Sequence, residues 1–252
     1  MELALNLGWL EPVMLAGVRM VSFLVIAPPF SYTAFPARIK VMLALGLALA
    51  VSPAVTPGYT ERGTAAFFGA LVLEIGAGVL MGFLVYLVFA AIQSAGGLID
   101  LMSGFQMAQA FDPHSLINGA QFTRLFQMTA LALMFSSDAY QLILGGLIRS
   151  FTAIPLGGGV FLADPAAAII TAVTGMFLAA VQIAGPLLVV FFLSDVGLGL
   201  LNRVAPALNA FALGFPLKIL LALVLGSVVM LALPRVVSAL TQEALTLLGG
   251  VG

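Results

Sequence analysis

Residues 64–93 read TAAFFGALVLEIGAGVLMGFLVYLVFAAIQ and contain one charged side chain, that of Glu74. A helix needs about 20 apolar residues to cross the hydrocarbon core of a bilayer. A run of this length and composition therefore predicts a helix inside a membrane. As one continuous helix it would extend about 45 Å, against an apolar core of about 30 Å. We expect part of it to leave the bilayer or to break.

The rest of the chain has the same character. Of its 252 residues, 62% are hydrophobic and 8% are charged, whereas a soluble domain has about 45–50% apolar and about 25% charged residues. We therefore expect an all-α integral membrane protein, with residues 1–252 as a single membrane domain. It has about six hydrophobic segments, which lie at Val13–Tyr32, Ile39–Val55, Thr64–Gln93, Leu125–Ile148, Ala166–Leu193 and Phe211–Leu233.

Charge and composition exclude several functions. The net charge is -1, so there is no basic surface for nucleic acid. The chain has no cysteine and one histidine, His114, which excludes thiolate and multi-histidine metal sites. His114 follows Asp112-Pro113, and we expect it to be a turn residue. No nucleotide-binding motif occurs, and we expect no cofactor.

Small residues recur every four positions around Glu74, at Ala66, Ala70, Gly78 and Gly82. A spacing of four keeps neighbours on one face of a helix. Small residues let helices approach closely in lipid, and an ionisable group at membrane depth faces protein or a water-filled cavity. We expect this face to pack against another helix.

The charge of Glu74 has two interpretations. It is either a packing residue with a polar partner or part of a transport or proton-relay site. Its candidate partners are Arg19 in the first segment and Lys218 in the sixth. Lys218 could equally extend its ammonium group to the membrane interface.

Residues 94–121 read SAGGLIDLMSGFQMAQAFDPHSLINGAQ. Four glycines and one proline interrupt apolar sequence, which predicts neither a clean helix nor a polar loop. Irregular backbone at membrane depth is tolerated where it is buried in protein or lines an aqueous cavity. Phe105 and Met107 are bulky and deformable and can form a hydrophobic seal. The stretch is either a pore-lining or pore-blocking segment or an ordinary packed connector.

Several motifs together resemble the FliR family of type III protein export gates, nearly from end to end. Each motif alone is weak, and the combination is specific. They are Arg19 with Ala27-Pro28-Pro29-Phe30; Phe35-Pro36-Ala37-Arg38-Ile39-Lys40; Glu74-Ile75-Gly76 with Gly82-Phe83; Ile92-Gln93-Ser94-Ala95-Gly96-Gly97-Leu98-Ile99-Asp100; Gly104-Phe105-Gln106-Met107-Ala108 with Asp112-Pro113; and Asn202-Arg203-Val204-Ala205-Pro206 through Asn209 to Gly214-Phe215-Pro216-Leu217-Lys218.

The resemblance implies a non-enzymatic subunit built from helical hairpins. In this family one FliR chain assembles with FliP and FliQ, alongside FlhB and FlhA, into a gate at the flagellar basal body. Unfolded flagellar proteins pass through this gate across the bacterial inner membrane. An ATPase and the proton-motive force act through other subunits.

The resemblance also assigns roles to residues. A loop in the middle of the family's chain plugs the closed gate, and here it corresponds to Gly104, Phe105, Gln106, Met107, Ala108, Gln109, Ala110 and Phe111. Five polar residues become candidates for inter-subunit or buried contacts, namely Arg19, Glu74, Arg203, Asn209 and Lys218.

There are two alternatives to a flagellar export-gate subunit. The gate subunit of a virulence injectisome shares the architecture and differs in its partners. A secondary transporter would carry inverted repeats with interrupted helices in both halves, and the two halves of this chain show no such matching pattern.

Overall fold

The computed structural model describes residues 7–32, 35–105, 120–158, 165–205 and 210–249. Helices and the turns between them account for these ranges, in which no strand occurs, and this confirms the all-α class. The helices of the described part are α1 (Leu7–Ile26), α2 (Ala37–Val55), α3 (Thr64–Ser103), α4 (Gln121–Ser136), α5 (Ala139–Ala153), α6 (Pro165–Val204) and α7 (Ala210–Gly249).

Most of these helices can cross a membrane. In the described residues α1, α2, α3, α6 and α7 are long and apolar enough to do so, and a sixth span results if α4 and α5 form one together. The most apolar windows of α3, α6 and α7 reach a mean hydropathy of 2.4. The chain is a multi-pass membrane protein, as its composition predicts.

The segment at Thr64–Gln93 was expected to leave the bilayer or to break, and of these two alternatives the break is wrong. The segment is one uninterrupted helix that continues to Ser103, and its 40 residues extend about 60 Å. Residues 94–103, expected to be irregular because of their glycines, are helical. Gly96 instead allows close packing, since a Cβ there would lie 2.6 Å from the Cα atom of Thr123 in α4.

The other segments also differ in their ends. The segment Leu125–Ile148 is two helices, because α4 ends at Ser136 and α5 begins at Ala139. Between them Asp138 has a left-handed backbone with φ of 54°, which an α-helix cannot contain. The segment expected to end at Leu193 continues through Asp195, because α6 ends only at Val204.

The backbone forms two compact units. Unit 1 comprises Met1–Val88, Ser137–Ala172 and Leu240–Gly252, and unit 2 comprises Phe89–Ser136 and Val173–Ala239. Phe23, Leu24 and Met81 are among the fully buried side chains of unit 1. In unit 2 the fully buried side chains include Ile92, Ile99, Phe126 and Phe191.

The small-residue face of α3 packs against α1 in unit 1. A Cβ at Gly78 would lie 2.8 Å from the Cβ of Ser22, and one at Gly82 would lie 3.0 Å from the Phe23 carbonyl oxygen. Ala70 is buried as well, while Ala66 at the start of the helix is exposed. The prediction that this face meets another helix is confirmed from Ala70 onward.

Candidate functional site

Arg19 of α1 and Glu74 of α3 form a buried ion pair in unit 1. Their exposed fractions are 0% and 1%. Nε of Arg19 donates to Oε2 of Glu74 at 2.5 Å, and Nη2 donates to Oε1 at 3.0 Å. This two-point contact matches the planar guanidinium to the carboxylate. Of the two candidate partners, Glu74 therefore pairs with Arg19 and not with Lys218.

The remaining donors of Arg19 cap the C-terminal end of α5. Nη1 and Nη2 each donate to the carbonyl oxygen of Ile154 at 3.0 Å, and Nη1 lies 3.4 Å from the carbonyl and hydroxyl oxygens of Ser150. The guanidinium carbon lies 4.4 Å from the ring centroid of Phe151. The last carbonyls of a helix lack intrahelical partners and attract cations. All five N–H groups of Arg19 thus have an acceptor.

Glu74 also holds the turn that follows α5. The amide of Gly157 donates to Oε1 of Glu74 at 2.7 Å. Gly157 has a φ of +67°, and a Cβ there would collide with the guanidinium of Arg62. Arg62 in turn donates from Nη2 to the carbonyl oxygen of Leu156 at 2.8 Å. The turn therefore needs glycine and is fixed by two separate charged groups.

These contacts favour the packing interpretation of Glu74. Its carboxylate accepts hydrogen bonds from Arg19 and from Gly157, so both of its oxygens are engaged. A buried ion pair contributes little net stability relative to apolar packing, but removing one member leaves an uncompensated charge. The pair therefore sets how α1, α3 and the end of α5 fit together.

A second polar cluster, which was not found from the sequence, joins α1 to the connection between α2 and α3. Oε2 of Glu11 accepts hydrogen bonds from the hydroxyl of Tyr59 at 3.2 Å and from the amide of Arg62 at 3.3 Å. Partial burial raises the pKa of Tyr59 above its ordinary value, and the nearby Glu11 carboxylate adds to this, while Arg62 opposes it. The available signal was the pair of charged residues, Glu61 and Arg62, between two apolar segments of the sequence.

Asp100 of α3 binds the N-terminus of α4 in unit 2. Its side chain is fully buried. Oδ1 accepts the amide of Phe122 at 2.8 Å, while Oδ2 accepts the amide of Thr123 at 2.9 Å and its hydroxyl at 2.7 Å. The first amides of a helix lack intrahelical acceptors. Asp100 supplies them from another helix, so no local capping motif reveals it in the sequence.

Two residues of the expected plug are described, and both lie at the end of α3. Gly104 has a φ of +84°, and a Cβ there would lie 2.9 Å from the ring of Phe215 in α7. The ring centroid of Phe105 lies 5.8 Å from that of Phe122. Gln106, Met107, Ala108, Gln109, Ala110 and Phe111 lie outside the described residues, as does His114.

The remaining polar candidates lie on α6 and α7 or near them. Lys218 donates to Oδ2 of Asp195 at 2.8 Å, and the two side chains are 17% and 47% exposed. Arg203 is exposed in this chain. Asn209 lies outside the described residues. Within the described ranges, no group of three or more His, Cys, Asp or Glu side chains converges as a metal site would require.

Comparison with known proteins identifies the family. A model of the bacterial export proteins, family 1, matches residues 10–244. The chain belongs to this family. Membership of this family makes the chain a component of protein export. The membrane-spanning helices described above agree with this role.

The similar proteins show which kind of protein export is involved. The flagellar biosynthetic protein FliR of Escherichia coli K12 is 30% identical over 249 residues, which cover 97% of this chain and 94% of the relative. FliR of Bacillus subtilis 168 is 28% identical over 250 residues, covering 95% of each chain. The Yop proteins translocation protein T of Yersinia pestis is 31% identical over 179 residues, covering 68% of this chain and 67% of the relative. The resemblance to FliR is confirmed, and the chain is a FliR-type component of flagellar type III export.

Proposed function

We propose that this chain is the FliR subunit of a flagellar type III export gate, which assembles with FliP and FliQ in the bacterial inner membrane. FlhA and FlhB are its further partners in the export apparatus, and unfolded flagellar proteins pass through the assembled channel. The subunit has no catalytic site of its own, and other components supply the energy for export. Family membership and the FliR relatives along 97% of the chain support this function.

The observation that carries the assembly is the exposure of α6 and α7. Only 22% of the apolar window of α6 and 17% of that of α7 are buried in the chain, compared with 61% for α3. Lipid could cover the apolar side chains, but these helices also expose charge, at Asp195 and Arg203. An ionisable group at membrane depth requires a protein or aqueous environment. Partner subunits supply that environment in the proposed gate.

The same charges give the polar candidates their role. Lys218 and Asp195 form a partly exposed pair on helices that expose many large apolar side chains. In the proposed assembly these residues, together with Arg203 and Asn209, lie at contacts with neighbouring subunits. Arg19 and Glu74 act differently, because they are buried within this chain and shape the surface that it offers.

Native mass spectrometry tests the assembly. The chain would be co-expressed with its FliP and FliQ subunits, purified in mild detergent and weighed. We expect one large complex that holds a single copy of this chain. A lone or self-associated chain in the presence of both partners would contradict the proposal and would favour the secondary-transporter alternative.

We further propose that Gly104–Phe111 is the plug of the closed gate. The support from the structure is at its first two residues, where Gly104 and Phe105 leave α3 between aromatic rings of α4 and α7. A hydrophobic constriction closes a channel to ions by excluding water. Replacing Phe105 with Ala, or Met107 with Ala or Asp, should therefore make the closed complex conduct ions.

Planar-bilayer recordings of purified complexes measure this leak. The matched control is Phe135→Ala on α4, which removes an exposed ring of the same size away from the proposed plug. If the Phe105 and Met107 variants assemble fully and conductance stays at background, Gly104–Phe111 does not close the gate.

The injectisome role remains the second candidate, supported by the 31% identity to the Yersinia translocation protein over 68% of this chain. Complementation separates the two. A strain lacking its flagellar FliR should regain motility when this chain is supplied together with its FliP and FliQ. Recovery of virulence-type secretion without motility would favour the injectisome.

A further inference from the structure

Phe105, Phe122 and Phe126 form an aromatic cluster next to a buried carboxylate, that of Asp100. The ring centroids of Phe105 and Phe122 are 5.8 Å apart, and the ring of Phe122 meets that of Phe126 edge-on at 6.0 Å. Phe122 is the second residue of α4. Its backbone amide is bound by Asp100 at 2.8 Å.

We propose that Asp100 is a positioning residue for the resting seal: it fixes the first turn of α4, and the first turn of α4 holds Phe122 against Phe105. This inference rests on the proposed plug function of Gly104–Phe111. Asp100 acts through Phe122 and makes no contact with exported protein.

Phe122 is held at its backbone and at the tip of its ring. Asp100 binds its backbone amide. The ring tip lies against Gly226 of α7, where a Cβ built on the glycine would be 2.5 Å from Cε1 of Phe122. The ring therefore cannot move toward α7. Phe105 packs against the ring that this arrangement leaves in place.

The hydrogen bonds from Phe122 and Thr123 to Asp100 are strong enough to hold the first turn of α4 in place. Three donors from Phe122 and Thr123 converge on one buried carboxylate. Hydrogen bonds to a charged group are stronger than neutral ones, and a buried donor left without an acceptor is costly. Asn at position 100 would retain one acceptor oxygen and turn an amino group toward the other donors. The first turn of α4 should then fray and release Phe122.

The primary experiment compares closed-state leak in purified complexes, normalised to the amount assembled, for Asp100→Asn and Phe105→Ala. We expect Asp100→Asn to raise the leak roughly tenfold, which is the size expected from the loss of about one charge-assisted hydrogen bond. The matched control is Asp138→Asn, because Asp138 is an exposed aspartate beside the start of α5. It should not change the leak.

Two further variants keep the test valid if Asp100→Asn fails to assemble. Thr123→Val removes one of the three bonds while preserving side-chain shape, and we expect a smaller rise in leak. Gly226→Ala displaces the Phe122 ring without touching Asp100, whereas Gly145→Ala places the same methyl group in open space. Gly226→Ala should leak and Gly145→Ala should not.

A reversible cross-link gives a readout that lost stability alone would not produce. The chain contains no cysteine, and a Cβ at position 97 would lie 3.6 Å from Oγ1 of Thr123. Oγ1 of Thr123 marks approximately where Sγ of a cysteine at position 123 would lie, so Gly97→Cys with Thr123→Cys brings the two sulfur atoms close enough for a disulfide that joins α3 to the first turn of α4. In the Asp100→Asn background, oxidation should lower the leak and reduction should restore it.

The outcomes distinguish this inference from the plug itself. If Phe105→Ala leaks while Asp100→Asn, Thr123→Val and Gly226→Ala remain tight, the plug stands and the role of Asp100 is refuted. If Phe105→Ala assembles and stays tight, Phe105 does not contribute to the seal and this inference fails; the plug assignment fails as well if the Met107 variants also stay tight. A leak in Asp138→Asn equal to that in Asp100→Asn would also refute the specific role.

Discussion

Replacing Glu74 with Ala should disrupt the folding of unit 1 and, as a result, assembly of the export gate. The substitution removes a carboxylate that accepts hydrogen bonds from Nε and Nη2 of Arg19 and from the amide of Gly157. Arg19 would remain with 0% exposure and without a counter-charge. The C-terminal end of α5 should be affected more than its N-terminal end, because only the C-terminal end contacts Arg19.

The size of the effect follows from burial. Breaking a buried ion pair by removing one partner costs about 3–5 kcal/mol, and native domains have only about 5–15 kcal/mol of stability in total. Since about 1.4 kcal/mol is a factor of ten, the ratio of folded to unfolded chain should fall by roughly two to three and a half orders of magnitude. Glu243→Ala is the matched control, because Glu243 is exposed on α7, and it should change stability by less than about 0.5 kcal/mol.

The assay is the yield of assembled complex by native mass spectrometry, together with export in cells. A double variant, Arg19→Leu with Glu74→Leu, removes both buried charges and should assemble better than Glu74→Ala, since apolar replacement of a whole pair is often close to neutral. Recovery should be incomplete, because Gly157 and Ile154 lose their polar partners. Normal assembly and export by Glu74→Ala would refute the reasoning.

Two other predictions concern unit 1. Gly78→Ala should lower the free energy of unfolding by about 1–3 kcal/mol by overpacking the α1–α3 contact, since its Cβ would lie 2.8 Å from that of Ser22. Gly76→Ala is the control, because a Cβ there meets nothing within 4 Å. Thermal denaturation of both variants tests this, and equal melting temperatures would contradict it. Tyr59 has a raised pKa through burial and Glu11, so the folded chain binds its proton more tightly than the unfolded chain. The associated stability is complete below about pH 10 and is lost as the pH rises through the folded pKa; Tyr59→Phe should lose less stability than the parent above pH 10, and parallel pH profiles would argue against the effect.

Local sequence identified the class of the protein and most of its helices. The apolar runs locate α1, α2, α3, α6 and α7, because a helix in lipid must be built from apolar residues over about 20 positions. The run from Thr64 predicts α3 although its continuation to Ser103 was missed. Glycine at positions 96 and 97 suggested irregular backbone, and only the neighbouring α4 shows that Gly96 is there for close packing.

The polar residues show where sequence reasoning stops. Arg19 and Glu74 were recognised as buried or inter-subunit candidates because charge is rare in apolar segments. Which cation pairs with Glu74 remained open, since Arg19 and Lys218 were both possible by residue type. The cap formed by Asp100 was missed, because a carboxylate that binds the first turn of another helix leaves no local capping pattern.

By itself, then, the sequence determined a helical membrane protein of the FliR type, since hydropathy and family motifs are properties of the linear chain. The tertiary structure decided the pairing of Arg19 with Glu74, the closure of the α5 turn over Gly157, and the attachment of α4 to Asp100. The physical reason is distance along the chain: these contacts join residues 55, 83 and 22 positions apart. Only packing of the helices brings such groups within hydrogen-bond reach.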